Sequence, residues 1–176
     1  YIYMSNPVVK GIYINNILTR KIHLSFSMLG NNIKDLLQQK LKRGYEGKCI
    51  KEGFLKSNSI NIITYSSGVI KGNNVVFDVA FKCLICKPVE GMKIKVTVKN
   101  VTKAGIRAEY KEPTPIVVFI SRDQSYDDEN FNSIKENDEI YISVIGIRYE
   151  LNDTFISVIA SIDKKIFKKP NIQFNK

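Results

Sequence analysis

Residues 91–101 alternate strictly. Ile94, Val96 and Val98 fall on one side, and Lys93, Lys95, Thr97 and Lys99 fall on the other. This pattern predicts a half-buried strand with an apolar inside and a basic outside. Further strands are predicted over 105–110, 116–121, 139–147 and 154–162. The fourth buries Ile140, Ile142 and Val144. The fifth buries Ile156, Val158, Ala160 and Ile162. Five strands with one long connection after the third match a partly open five-stranded OB barrel. That connection, 122–137, is acidic.

The first half reads differently. Residues 8–14 and 21–28 are extended in pattern, with Ile22, Leu24, Phe26 and Met28 alternating against Lys21, His23, Ser25 and Ser27. Over 32–43 the period changes to helical. Ile33, Leu36, Leu37 and Leu41 form one stripe. Asn31 or Asn32 is placed to cap the start, Lys40, Lys42 and Arg43 suit the C-terminal dipole, and Gly44 is placed to end the helix. Strands return over 48–55, 60–65 and 75–86. In the last of these Val75, Phe77, Val79 and Phe81 face one way, and Val76, Asp78, Ala80 and Lys82 the other. A sheet covered by one helix is the economical solution for 1–86. Lys87-Pro88-Val89-Glu90-Gly91 marks the boundary. The predicted fold is therefore α+β and mostly β: an antiparallel sheet with one helix over 1–86, then an OB-type barrel over 87–176 with a basic tail. No internal repeat is evident.

Charge sharpens this picture. The 176 residues carry 27 Lys and Arg against 17 Asp and Glu, a net charge of +10. Such a surface attracts polyanions: nucleic acid, or less specifically an acidic protein or a membrane. The charge is uneven. Between Phe81 and Lys111 the only acids are Glu90 and Glu109. Acids dominate 123–139, and Lys164, Lys165, Lys168 and Lys169 make the tail basic. No run approaches the roughly 20 apolar residues of a membrane span, so no membrane partner is expected. The opening residues lack the pattern of a secretory signal. Cys49, Cys83 and Cys86 are too few for a disulfide framework, and a reducing intracellular compartment fits them. The sites at Asn100 and Asn152 that match a glycosylation pattern are discounted accordingly. The richness in Ile, Lys and Asn is that of an AT-rich coding genome.

Catalytic chemistry finds little support. Cys83 and Cys86 are spaced C-x-x-C, but residues three apart in a strand point to opposite faces and cannot share a metal. His23 is the only histidine and has no partner nearby in sequence. The acidic run Asp127-Asp128-Glu129 reads as a solvated loop, and Gly68 to Gly72 lacks the phosphate-loop pattern. No catalytic residue, metal site or cofactor is expected, and the chain is not read as an enzyme. What remains is the barrel's outward face: Lys93, Lys95, Lys99, Lys103, Arg107, Phe119, Arg122, Arg148 and Tyr149. Cations track phosphates and aromatic faces stack bases, so this face is the candidate RNA-binding surface. A plain solvated lysine-rich strand is the alternative.

Several motifs in order resemble a known family. They are Tyr45-Glu46-Gly47-Lys48-Cys49, Ser67-Gly68-Val69-Ile70, Val75 to Val79, and Phe81-Lys82-Cys83-Leu84-Ile85-Cys86-Lys87-Pro88-Val89-Glu90-Gly91. Val98 to Gly105, Val118 to Ser121, Ile142 to Arg148 and Ala160 to Ile162 continue the series. Together they are similar to the seventh subunit of eukaryotic RNA polymerase II and to its counterpart in archaeal RNA polymerase. The likeness covers roughly 17–167.

The resemblance implies a noncatalytic stalk subunit of a DNA-directed RNA polymerase. Its N-terminal tip domain would dock on the large subunits near the clamp through the loop Gly68, Val69, Ile70, Lys71 and Gly72. Its S-one-type barrel would meet single-stranded nascent RNA. A fourth-subunit-like stalk partner is implied along the side, although viral polymerases can lack an obvious one. The AT-rich bias points to a large cytoplasmic DNA virus, which would place the chain in the host cytoplasm or virion; a cellular eukaryotic source would place it in the nucleus. Two departures from the family stand out. Ile106-Arg107 replaces aromatics, and Phe119 stands where a His is common, so contact with RNA is expected to be mainly electrostatic. The alternatives are another S-one-type RNA-binding protein, such as an exosome cap subunit or translation factor, and a module that binds an acidic protein.

Overall fold

A computed structural model describes residues 11–111, 115–122 and 131–163. The chain divides into two compact units. The first comprises Gly11–Lys87 together with Tyr149–Phe155, and the second contains Pro88–Arg148 and the strand that begins at Ile156.

In the first unit, β1 (Tyr13–Ser25) pairs antiparallel with β6 (Asn74–Cys86) along its whole length. The opposite edge of β6 takes β3 (Gly53–Leu55), β4 (Asn61–Tyr65) and β5 (Val69–Lys71) in turn, and β2 (Cys49–Ile50) adds to β3. The two N-terminal strands expected over 8–14 and 21–28 are thus one strand over its described part, while positions 8–10 lie outside the described residues. The strand stops at Ser25. A 3-10 turn over Phe26–Met28 follows, and Phe26 and Met28 are exposed rather than buried.

Helix α1 (Ile33–Tyr45) covers one face of this sheet. Its stripe works as the 3.6-residue period requires: Leu37 and Leu41 are fully buried, and Ile33 and Leu36 pack at the margin. Beneath it lie Leu18, Ile22 and Leu24 of β1 with Phe77, Val79 and Phe81 of β6. Each buried aliphatic side chain contributes about 1.5–3 kcal/mol. Gly44 does not end the helix, contrary to expectation. The helix runs on to Tyr45, the Glu46 N–H donates to the Lys42 carbonyl at 3.1 Å, and the left-handed residue is Gly47 at φ +71°. Asn32 stands at the N-cap, but its side chain makes no capping bond.

Arg20 ties β1 to the β2–β3 turn by donating to both Glu52 carboxylate oxygens at 2.7 Å. Partial burial pushes the Glu52 carboxyl up, but the Arg20 hydrogen bonds and charge outweigh it and hold the group below its usual 4.5. A depressed folded-state pKa stabilises the fold above the unfolded value, and that contribution fades as pH falls through the folded one. The first unit should therefore lose stability below about pH 4.5. Glu52→Gln should flatten that part of the profile in acid denaturation followed by circular dichroism. An unchanged profile would dismiss the bridge as a contributor.

The second unit is a closed barrel ordered β10-β11-β9-β8-β7. Its strands are β7 (Lys93–Val101), β8 (Gly105–Glu109), β9 (Ile116–Ser121), β10 (Glu139–Arg148) and β11 (Ile156–Ile162). The third and fifth barrel strands run parallel and the rest antiparallel. Ile94, Val96, Val98, Ile140, Ile142, Val144, Val158 and Ala160 fill the interior, as the alternation predicts. The described part of the long connection adds a piece of core that the sequence pattern did not suggest, since Phe131 and Ile134 are buried. Asp123 and the run Asp127-Asp128-Glu129 lie outside the described residues, as does the basic tail from Lys164. No described helix is long and apolar enough to cross a membrane.

Candidate functional site

Two surfaces were singled out from the sequence, and each lies within its own unit. The first is the segment Gly68 to Gly72. It is more ordered than a loop: Val69–Lys71 form β5, which returns on β6 as a tight hairpin with Val69 opposite Val76. Both glycines have structural reasons. A Cβ on Gly68 would lie 2.3 Å from Val75 Cγ1 and within 3.0 Å of the Phe77 ring, so only hydrogen fits there. Gly72 turns the chain at φ +60°. Neighbouring strand residues point to opposite faces, yet Val69 is 57% and Ile70 69% exposed. While their partners Val76 and Val75 on β6 are buried, the β5 side of the hairpin thus presents Val69 and Ile70 to solvent on opposite faces. Lys71 stands beside them, also exposed.

The second surface is the barrel exterior. Strand β7 pairs with β10 through its first half and with β8 through its second. Lys93 and Lys95 therefore lie beside β10, while Lys99 sits in a bulge facing β8. Arg107 is directly opposite Phe119, and Phe119 is opposite Ile159 of β11. Phe119 and Ile159 are about half exposed. Lys103 is exposed in the β7–β8 turn, whose carbonyl at Ala104 accepts from the Arg122 backbone N–H at 3.1 Å. The Arg122 guanidinium lies 5.2 Å from the Phe131 ring centre, which directs it to the long connection. Arg148 closes β10 opposite Ser157, whereas Tyr149, expected on the barrel's outward face, belongs to the first unit, where its hydroxyl donates to the Lys51 carbonyl at 3.2 Å.

The sequence reading missed the acidic partners of this face. Lys93 Nζ lies 2.7 Å from the buried Asp163 carboxylate. Lys95 is paired with Glu139, and Arg107 reaches Glu109 at 3.1 Å. The Glu139 contact raises the Lys95 pKa, and Lys95 in turn lowers that of Glu139. Glu109 was legible, because residues two apart on a strand share a face. Glu139 and Asp163 needed barrel closure to bring them in. The outer face is thus cationic in sequence but partly compensated in space.

The thiols are unreactive in character. Burial, then the Asp153 charge, pushes Cys49 up to about 11, and burial, then Cys49, pushes Cys86 to about 12. Burial also raises Cys83. Cys83 belongs to the core under α1, and Cys86, three residues on, points to the other face. Among the described residues no three His, Cys, Asp or Glu side chains gather as metal ligands.

No protein-family model matches the chain. It has homologues among RNA polymerase subunits. A protein of Acanthamoeba polyphaga mimivirus, provisionally named a DNA-directed RNA polymerase subunit, is 29% identical over 87% of this chain and 83% of its own length. Subunit 7 of DNA-directed RNA polymerase II from Glycine max is 26% identical, covering 82% of this chain and 89% of the relative. The corresponding Arabidopsis thaliana protein is 25% identical, with 84% and 97% covered. These homologies support a subunit of an RNA polymerase.

Proposed function

We propose that this chain is the noncatalytic stalk subunit of a multisubunit DNA-directed RNA polymerase. The observation that carries this reading is homology to such subunits along most of both chains. The first unit docks on the large subunits near the clamp, and the barrel contacts nascent single-stranded RNA. The subunit brings binding surfaces to the enzyme, while its homologues belong to assemblies that make RNA. A fourth-subunit-like partner completes the stalk where the polymerase has one. The working location is the nucleus or, for a viral polymerase, the infected cytoplasm and virion.

The β5 hairpin supports docking by insertion. Apolar side chains exposed on both faces are unfavourable in water, and a cleft that buries them gains hydrophobic free energy. Val69→Asp with Ile70→Asp should abolish co-purification with the large subunits. The isolated chain should stay folded, because neither side chain contributes to the core. Unchanged co-purification of the double variant would overturn the docking assignment.

A further inference from the structure

The cations of the molecule are unequally compensated. Lys93, Lys95, Arg107 and Arg20 each meet a carboxylate, and Lys21 approaches Asp78. Lys56 and Lys82 have no carboxylate partner among the described residues. Both line one cavity of about 280 Å³ within the first unit. The cavity lies between the 56–59 turn, β1 and β6. Asn15, Ser57, Asn58 and Asn61 supply amide and hydroxyl groups to its wall, and no Asp or Glu lines it. Lys56 Nζ lies 5.0 Å from the centre of the Tyr13 ring, a contact that restrains this lysine. Asn61 lies directly opposite Lys82 in the β4–β6 register.

We infer that this cavity is an anion site that takes a phosphate group, delivered by single-stranded nucleic acid or by a free nucleotide. The argument is chemical. Two lysines without a carboxylate partner and several amide and hydroxyl side chains line one cavity where no acceptor charge competes. A phosphate offers several acceptor oxygens and a charge that both lysines match. The volume falls at the small end of ligand cavities, roughly 300 Å³ and upward, which suits a phosphate with part of its sugar. Every residue lining the site belongs to the first unit.

The test uses the full chain and three probes: inorganic phosphate, a nucleoside monophosphate and a single-stranded oligonucleotide. Amide shifts in the nuclear magnetic resonance spectrum at Ser57, Asn58, Asn61 and Leu84 are expected on titration. Response to the oligonucleotide alone identifies a nucleic-acid backbone. Response to phosphate or the monophosphate as well identifies a site for free phosphates too. Lys56→Gln with Lys82→Gln should remove these shifts and reduce the salt slope of oligonucleotide binding by about 1.4, or 0.7 per contact. Absence of shifts at these positions with all three probes would overturn the proposal. So would an unchanged salt slope in the double variant. Either failure would leave the polymerase reading intact, because co-purification through the β5 hairpin is a separate measurement.

Discussion

Phe81→Ala should destabilise the first unit by roughly 3–5 kcal/mol, a large fraction of what holds a domain of this size together. Phe81 is fully buried on β6, the one strand to which β1, β3, β4 and β5 all pair. Its ring lies in the cluster formed by Leu18, Leu37 and Leu41, with the partly buried Ile62 packed against it. Truncation removes the transfer contribution of the ring and leaves a cavity that helix and sheet together cannot close. The loss should appear in denaturant unfolding of the full chain and in faster amide exchange along β1 and β6. Amides of the barrel strands should keep their protection. Phe81→Leu should cost much less, since most of the volume remains. A Phe81→Ala loss below about 1 kcal/mol would mean that the helix does not seal this core.

That core was legible because α1 and β6 announce themselves by different periods. Leu37 and Leu41 recur at helical spacing, whereas Val75, Phe77, Val79 and Phe81 recur every second residue. Local rules fix such features, and no distant residue is needed to read them. The barrel interior was legible for the same reason, and five alternating runs with one long gap already imply its topology. Other features depended on distant contacts. Gly44 has helix-ending chemistry, yet the helix runs one residue further to Tyr45, followed by Glu46, whose carboxylate accepts from the Ile60 N–H at 3.1 Å. Val69 to Lys71 are too few to register as a strand until β6 provides a partner. Phe131 looks like an isolated aromatic in an acidic connection, and only the Arg122 contact shows why it is buried. The outward lysines were read correctly as outward, because alternation settles direction. Alternation does not settle what stands across the gap. The ion pairs of Lys93 and Lys95 join residues 70 and 44 positions apart in sequence, beyond any local pattern.

Those ion pairs shape what RNA binding by the barrel should look like. If Lys93, Lys95, Lys99 and Arg107 all contact phosphates, the four-fold Ala variant should lose about 0.7 of salt slope per contact, or about 2.8. Raising salt fourfold should then weaken the wild-type chain roughly 50-fold more than the variant. Sequence preference should barely change, since phosphate contacts position the strand without reading it. Lys95 and Arg107 must exchange a carboxylate for each phosphate they take. Glu139 and Glu109 therefore compete with the transcript, and removing their charge should strengthen binding. Glu109→Gln with Glu139→Gln should raise affinity for a single-stranded oligonucleotide several-fold at low salt and steepen its salt dependence. Asp163 is different in kind. It is buried, and its pair with Lys93 joins the start of β7 to the end of the barrel, so its loss would disturb the fold before it freed a cation. The acid variants thus separate two roles for the same lysines. An electrostatic track predicts opposite effects: weaker binding from the four-fold Ala variant and stronger binding from the Gln pair. A face whose ion pairs only hold the barrel together predicts lower stability in both variants and no change in salt slope in either. That second outcome, measured by oligonucleotide affinity between low and moderate salt, would remove the barrel exterior from the RNA path.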